Sequence, residues 1–216
     1  MFSNYDIIFL IIVTSVILSY YAKKALENYY KSLIYKNPDY LSNLIQLKEF
    51  LKEIESFNDY VNWIKKKEVL GAYANIGKFF KKKSNYYKEE PLVKKFNEIY
   101  ENFDEFIDKH NISFVNSQKE KLKLFFGDIE NKSLDEQQKN AIIVDEYSNL
   151  VIAGAGSGKT LTIIGKIKYL LEDRRIKPEQ ILLLSFTRKT VSELNDRLLK
   201  LNIKPVASSF HKLGYD

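Results

Sequence analysis

A glycine-rich segment has the residue types and the spacing that phosphate binding requires. An apolar run ends at Ala153, small residues follow, and Lys159 and Thr160 then open a stretch with helical character. Small residues let consecutive backbone N–H groups point at phosphate oxygens, and the helix adds the positive end of its dipole. In this pattern Lys159 contacts the β- and γ-phosphates and Thr160 ligates Mg²⁺. The expected nucleotide-binding residues are Ala153, Gly154, Ala155, Gly156, Ser157, Gly158, Lys159 and Thr160.

The first position of this phosphate-binding loop departs from the usual pattern. Ala153 stands where the strict pattern has glycine, and alanine is small enough for the loop to close. An ordinary flexible loop of glycine and serine is the alternative interpretation. That alternative leaves the Gly-Lys-Thr after an apolar run unexplained.

Alternating strands and helices around the loop predict how it is held. The pattern indicates an α/β fold of the P-loop NTPase type, with a parallel sheet and right-handed crossovers. The sheet is expected to be incomplete, because two predicted strands are too few for a self-sufficient parallel sheet. The strand that follows the loop ends in Ser185-Phe186-Thr187 without a carboxylate, so it does not carry the Mg²⁺-binding acid of such proteins. The expected elements are a helix over Leu134–Ile142, a buried strand Asn149–Ala153, a helix Lys159–Leu171, a strand Ile181–Ser185 and a helix Lys189–Leu201.

The N-terminal segment Ile7–Ala22 is uncharged and mostly apolar. A membrane-spanning helix needs about 20 such residues. Tyr20 and Tyr21 suit a membrane interface, and the following lysines predict an outside N-terminus with the remainder in the cytoplasm. A membrane anchor is therefore expected, so that the ATP-binding part faces the cytoplasm. A cleaved signal peptide and a buried core helix are the alternatives.

Residues 23–130 are expected to form a helical accessory region, between the N-terminal segment 1–22 and the ATP-binding part 131–216. One apolar stripe runs from Leu44 to Val61 and a second from Leu92 to Phe106, at spacings of three and four residues. Two helices with such stripes can pack as an antiparallel hairpin, and Ile112–Phe126 can add a third.

Two lysine runs in this region lie close to aromatic residues. Lys65–Lys67 and Lys81–Lys83 enclose Tyr73, Phe79 and Phe80, with Tyr86 and Tyr87 just beyond. Basic residues mixed with aromatics can bind single-stranded nucleic acid, and near a membrane they can contact anionic lipid. A solvated lysine face is the third interpretation.

The composition sets limits on the other classes of function. The 216 residues carry a net charge of +6, which favours anionic partners but is spread along the chain. Hydrophobic residues make up 45% of the sequence, enough for a packed core. The absence of cysteine excludes disulfides and thiolate metal sites. His110 and His211 have no ligand spacing around them, so no metal is expected beyond a nucleotide-bound Mg²⁺.

Four motifs in order resemble the superfamily 1 DNA helicases of the UvrD-like type, with most likeness to the helicase IV branch. The likeness covers about residues 114–216. Leu134–Ile142 looks like the family's Q motif, the segment 153–160 its motif I, Ile181–Lys189 its motif Ia and Ala207–Leu213 its motif Ib. In motif Ib, Ser209 stands where the family usually has threonine. Its hydroxyl can still bond a phosphate.

The resemblance implies roles for particular residues. Gln138 would contact adenine, and the strand of DNA would be contacted by Phe186, Thr187, Ser209, Phe210 and His211. The family's Asp-Glu pair, its arginine finger and its second RecA-like domain have no counterpart in these residues.

We therefore expect the N-terminal part of an ATP-dependent DNA helicase, with little hydrolysis by these residues alone. The other expected partners are the rest of a helicase chain or another protein. A membrane-tethered nucleotide-binding or scaffold module without hydrolysis is the alternative.

Overall fold

The computed structural model describes residues 4–82, 90–204 and 207–214, without the side chains of residues 4–11, 30, 33, 34 and 82. Helices dominate these ranges, and two short strands lie near the C-terminal end of the described part. The helices are α1 (Asn4–Tyr35), α2 (Pro38–Glu55), α3 (Trp63–Ala72), α4 (Ala74–Lys82), α5 (Pro91–Glu101), α6 (Phe103–Lys121), α7 (Lys123–Gly127), α8 (Glu136–Ile143), α9 (Lys159–Glu172), α10 (Arg188–Lys200) and α11 (Phe210–Leu213), and the strands are β1 (Leu183–Ser185) and β2 (Ala207–Ser209).

The chain forms two compact units, neither of them confined to the segments 1–22, 23–130 and 131–216. Unit 1 consists of residues 1–56 and 69–101, and unit 2 of residues 57–68 and 102–216. The three-segment division made from the sequence stays a prediction.

Unit 1 is built around the apolar face of α2. The helix begins at Pro38, and the Asn37 side chain caps it by accepting a hydrogen bond from the backbone of Asp39 at 2.9 Å. The Phe50 ring lies 5.1 Å from that of Phe96 on α5, edge to face. The buried residues of α2 are Tyr40, Leu47, Phe50, Leu51 and Ile54. The expected stripe is thus confirmed within the helix, whereas Val61 lies beyond its end at Glu55.

The second apolar stripe belongs to two helices rather than one. Helix α5 ends at Glu101 and α6 begins at Phe103, with Asn102 between them at φ −115°. Phe96 and Phe103 are buried, while Leu92 is exposed. A periodic pattern shows which residues are apolar on one face but does not detect a break of one residue.

The expectation of a membrane anchor at Ile7–Ala22 is not supported. This segment lies within α1, and in the part of the chain that the structure describes no helix is long and apolar enough to cross a membrane. Helix α1 continues beyond this segment into the charged residues Lys23, Lys24, Glu27 and Lys31.

The basic and aromatic region is described only in part. Lys83, Tyr86 and Tyr87 lie outside the described residues. Lys67 places its ammonium group 3.9 Å from the ring centroid of Trp63, and Lys66 forms an ion pair with Asp104 at 2.9 Å. The role of these lysines in binding nucleic acid or lipid stays a prediction.

Residues 57–68 join unit 2 through specific hydrogen bonds. The Asn111 side chain bonds both the N–H and the C=O of Val61, each at 2.9 Å. The Glu146 carboxylate accepts the Tyr60 hydroxyl and the Trp63 backbone N–H, each at 3.0 Å. Burial and this hydrogen bond raise the pKa of Tyr60 to about 12.

The core of unit 2 lies between α6, α8, α9 and α10. Helix α9 packs against both α8 and α10. The buried members of this core are Phe114, Phe126, Ile129, Leu134, Ile142, Ile143, Ile164, Ile167, Tyr169, Leu194, Leu198 and Ile203. The expected helices at 134–142, 159–171 and 189–201 are confirmed to within about two residues.

One of the two expected strands is wrong. The described residues 149–154 form no strand, and the side chains of Leu150 and Ile152 are 86% and 89% exposed. A strand needs a neighbour to bond its backbone, and no described residue pairs with this segment. The strand expected at Ile181–Ser185 is present as β1, and it pairs in parallel with β2 rather than with residues 149–153.

Candidate nucleotide and DNA site

The phosphate-binding loop has the backbone conformation that its glycines allow. Gly156 and Gly158 adopt φ values of +77° and +82°, in the left-handed region that other residues rarely occupy. Helix α9 then begins at Lys159, so its first N–H groups lie directly after the loop. Space is open around Gly154 and Gly156, since no atom lies within 4 Å of where a Cβ would stand. This cradle of exposed small residues fits a triphosphate.

The Lys159 side chain is exposed and folds back over the start of the loop. Its ammonium group donates to the carbonyl oxygens of Gly154 at 2.6 Å and of Ala153 at 3.2 Å. The Ser157 hydroxyl donates to the same Gly154 oxygen at 2.8 Å. The Lys159 ammonium group, which is expected to contact the terminal phosphates, thus lies at the loop. Binding a phosphate there requires exchanging these carbonyl bonds for phosphate oxygens.

Gln138 connects the Q motif to the phosphate-binding loop. Asp135 caps α8 by accepting from the Gln138 N–H at 2.8 Å, and Gln138 Oε1 accepts from the Asp135 N–H at 3.0 Å. Its Nε2 donates to the Ser157 carbonyl oxygen at 3.2 Å. A Cβ added to Gly158 would lie 2.5 Å from this same nitrogen. The capping box therefore fixes Gln138 against the loop.

Helices α8 and α9 meet at a glycine. A Cβ on Gly165 would lie 2.7 Å from Cδ1 of Ile142, so only glycine permits this close approach without a shift. Next to it, Lys166 donates from Nζ to the carbonyl oxygens of Ile142 at 2.6 Å and Val144 at 3.1 Å. Burial lowers the pKa of Lys166. These carbonyls end α8, so the lysine ties the end of the Q-motif helix to the helix that follows the loop.

A cavity of about 440 Å³ lies beside Gln138 and the loop. Its size falls within the range of small-molecule sites. It is lined by Asp135, Gln137, Gln138, Ala141, Val151, Ile152, Ala153, Gly154, Ser157, Lys159, Thr162, Ile163 and Lys166.

Motifs Ia and Ib meet at the carboxyl ends of β1 and β2. The parallel register places Ser185 opposite Ser209, so Phe186 and Phe210 follow at neighbouring strand ends. Phe186 is 80% exposed and Phe210 56% exposed, which leaves both rings open to stacking rather than packed beneath the loops. The structure thus brings together the residues that the resemblance implies for DNA contact.

The hydroxyl groups at these strand ends cap helices. Thr187 Oγ1 accepts from the Thr190 N–H at 3.1 Å and begins α10. Ser209 is 9% exposed, and its Oγ accepts from the Lys212 N–H at 3.3 Å. His211 is exposed. A cavity of about 630 Å³ lies here, lined by Arg188, Val191, Asn195, Ala207, Ser208, Ser209, His211 and Lys212.

Sequence reasoning missed Lys166, Asn195 and Glu146. Lys166 and Asn195 stand inside amphipathic helices, where a polar residue is usually taken to face solvent. Glu146 bonds the Tyr60 hydroxyl and the Trp63 backbone N–H, which lie 86 and 83 residues away in sequence. The signal that could have found these residues is a charged or amide side chain that stands next to buried positions in sequence. Within the described residues no three His, Asp or Glu side chains lie together as a metal site, and the Mg²⁺ role of Thr160 stays a prediction.

Comparison with known proteins identifies the segment that holds these motifs. Residues 134–216 match the UvrD/REP helicase N-terminal domain. The chain is 36% identical over 108 residues to DNA helicase IV of Escherichia coli (strain K12), covering 49% of this chain and 16% of that relative. It is 45% identical over 89 residues to ATP-dependent DNA helicase Rep of Buchnera aphidicola subsp. Schizaphis graminum, covering 39% and 14%.

A third relative is ATP-dependent DNA helicase UvrD1 of Mycobacterium leprae, 38% identical over 68 residues, covering 32% of this chain and 9% of the relative. The chain therefore spans at most 16% of the length of these relatives. The resemblance to UvrD-like helicases is confirmed for residues 134–216.

Proposed function

We propose that this chain binds ATP with Mg²⁺ at the phosphate-binding loop, and a single strand of DNA at the carboxyl ends of β1 and β2. The proposal is supported most by one observation. The Q-motif glutamine is hydrogen-bonded to the loop that precedes Lys159, and the glutamine, the loop and Lys159 all line one cavity.

Each residue at the nucleotide site would have a distinct task. The loop N–H groups and Lys159 hold the phosphates, and the Thr160 hydroxyl is a ligand for Mg²⁺. Gln138 retains a second N–H and a second lone pair, which suit the N7 and N6 atoms of adenine. When bound, Mg²⁺ would neutralise charge on the β- and γ-phosphates.

The DNA site would work by stacking and charge. Phe186 and Phe210 present exposed rings to bases, while Thr187 and His211 offer polar groups to the backbone. Ser209 is largely buried and its oxygen caps α11, so it would contribute only its hydroxyl hydrogen. The relatives named above are DNA helicases, and this chain spans at most 16% of them. We therefore propose binding for these residues, and coupling of hydrolysis to translocation only for a protein that also supplies the family's later motifs.

The nucleotide part is tested by titrating the purified chain with a fluorescent ATP analogue in the presence of Mg²⁺. Lys159→Ala removes charge-assisted hydrogen bonds and is expected to weaken binding about tenfold or more. Lys200→Ala, an exposed lysine of α10, is the matched control and should retain wild-type affinity. Equal affinities for wild type and Lys159→Ala would refute the nucleotide site.

The DNA part is tested by fluorescence anisotropy with labelled oligothymidylate. Phe186→Ala is expected to weaken DNA binding about tenfold, because stacking is worth about 1–3 kcal/mol per base, and to leave the ATP-analogue affinity unchanged. Leu124→Ala removes an equally exposed apolar side chain from α7 and serves as control. DNA binding that survives Phe186→Ala, or wild-type protein that binds no oligothymidylate, argues against the site.

A further inference from the structure

The Asn195 side chain satisfies both hydrogen-bonding groups of one strand residue. Its Nδ2 donates to the Ala207 carbonyl oxygen at 3.1 Å, and its Oδ1 accepts from the Ala207 N–H at 3.0 Å. Both residues are half-buried. A primary amide presents an N–H donor and a carbonyl acceptor side by side, as the backbone of a neighbouring strand does. Asn195 therefore attaches the first residue of β2 to the middle of α10.

Helix α10, which carries Asn195, is held in place by buried side chains. Leu194, next to Asn195, and Leu198 are both buried in the core of unit 2. The strand, in contrast, has three residues and pairs with β1 alone among the described residues. So short a strand has few bonds of its own to fix its position, and two further bonds to one residue are a large addition.

The position of β2 decides where the DNA-contacting residues of motif Ib stand. Ser209 ends the strand opposite Ser185, and Phe210 and His211 follow it directly. A shift of β2 along β1 would move these side chains away from Phe186 and Thr187. Stacking and phosphate contacts are both weakened when the groups are displaced by about half an ångström.

We propose that Asn195 is a positioning residue for single-stranded DNA, which holds the motif Ib residues in register with those of motif Ia. This inference rests on the proposed DNA site. Asn195 acts through Ala207 and needs no contact with the DNA itself.

Asn195→Ala and Asn195→Leu test the inference in the full chain. Both remove the two hydrogen bonds; alanine favours the helix and leucine keeps the volume. We expect the affinity for labelled oligothymidylate to fall about tenfold, with the affinity for the ATP analogue within twofold of wild type. Hydrogen exchange of the Ala207 amide should accelerate, while that of α9 should not. Ser192→Ala, an exposed residue of the same helix, should behave as wild type.

Each other outcome overturns the inference. DNA affinity within twofold of wild type in both variants would show that the attachment does not matter for binding. Equal losses of DNA and nucleotide affinity, with a lower Tm, would show a role in stability alone. If wild-type protein binds no oligothymidylate, the proposed DNA site fails and the inference falls with it. The titration of wild-type protein with oligothymidylate distinguishes this failure of the DNA site from a failure of the positioning role alone.

Discussion

Gln138 donates from Nε2 to the carbonyl oxygen of Ser157 at 3.2 Å, across 19 residues of sequence. The side chain implicated in adenine contact is thus hydrogen-bonded to the loop implicated in phosphate contact. In the proposed nucleotide site, this bond would couple the position of the loop to that of the glutamine, because moving the loop moves an acceptor of the glutamine.

Gln138→Glu is expected to reduce discrimination between ATP and GTP. The change keeps the acceptor for Asp135 but replaces the donor to Ser157 and adenine with a second carboxylate oxygen. Competition of ATP and GTP against the fluorescent analogue measures the ratio of their affinities. Gln137→Glu adds the same charge one residue earlier and should change that ratio less. An unaltered ratio in Gln138→Glu would remove this residue from base recognition.

Gly158→Ala is expected to weaken nucleotide binding about tenfold or more, since alanine at a φ of +82° is strained and its Cβ would lie 2.5 Å from Gln138 Nε2. Titration with the ATP analogue gives the affinity. Gly127→Ala, where no atom lies within 4 Å of the new Cβ and the φ is ordinary, is the control for replacing a glycine. Equal affinity of the two variants would contradict the expectation.

Lys166→Met is expected to lower the free energy of unfolding by about 1–2 kcal/mol, because two carbonyls at the end of α8 lose a charged donor. Methionine keeps much of the stem's packing, so the effect isolates the ammonium group. Urea unfolding followed by circular dichroism measures it, with exposed Lys200→Met as control. A variant as stable as wild type would show that burial of the ammonium group offsets its hydrogen bonds.

Tyr60→Phe is expected to cost about 1 kcal/mol of stability at neutral pH, since it removes the hydrogen bond to Glu146. Tyr60 has a folded-state pKa of about 12 against about 10 in the unfolded chain, so its stabilising contribution is complete below pH 10 and is lost as the pH rises towards 12. The difference in stability between wild type and variant should therefore shrink above pH 10.

Fluorescence of Trp63, the single tryptophan, follows this unfolding from within the same segment. Tyr147→Phe, at an exposed tyrosine near Glu146 in sequence, is the control and should cost little. A difference between wild type and Tyr60→Phe that stays constant from pH 8 to pH 11 would contradict the stated pKa.

Local sequence was sufficient to predict the helices that hold the site. Asp135 and Thr187 are capping residues that precede amphipathic runs, and both begin helices as that pattern indicates. The glycines of the loop likewise signal the left-handed backbone at Gly156 and Gly158. Such features depend on residues a few positions apart, so the sequence displays them directly.

Features that depend on distant partners were not predictable. Leu150–Ile152 have the composition of a buried strand, but a strand also requires neighbours, which composition does not supply. The bonds of Asn195 to Ala207 and of Lys166 to Ile142 join residues 12 and 24 positions apart. Only the packing of β2 against α10, and of α8 against α9, brings those partners together.

The discontinuity of unit 2 has a consequence for the order in which the chain is made. Residues 57–68 leave the ribosome early, yet Val61, Tyr60 and Asp59 bond partners that lie 50, 86 and 115 residues later, at Asn111, Glu146 and Arg174. The last of those partners, Arg174, is synthesised 115 residues after Asp59, whereas the whole of unit 1 is complete by residue 101. A recombinant fragment that starts at residue 102 would lack residues 57–68 altogether. Expression boundaries for the nucleotide-binding part should therefore begin before Phe57.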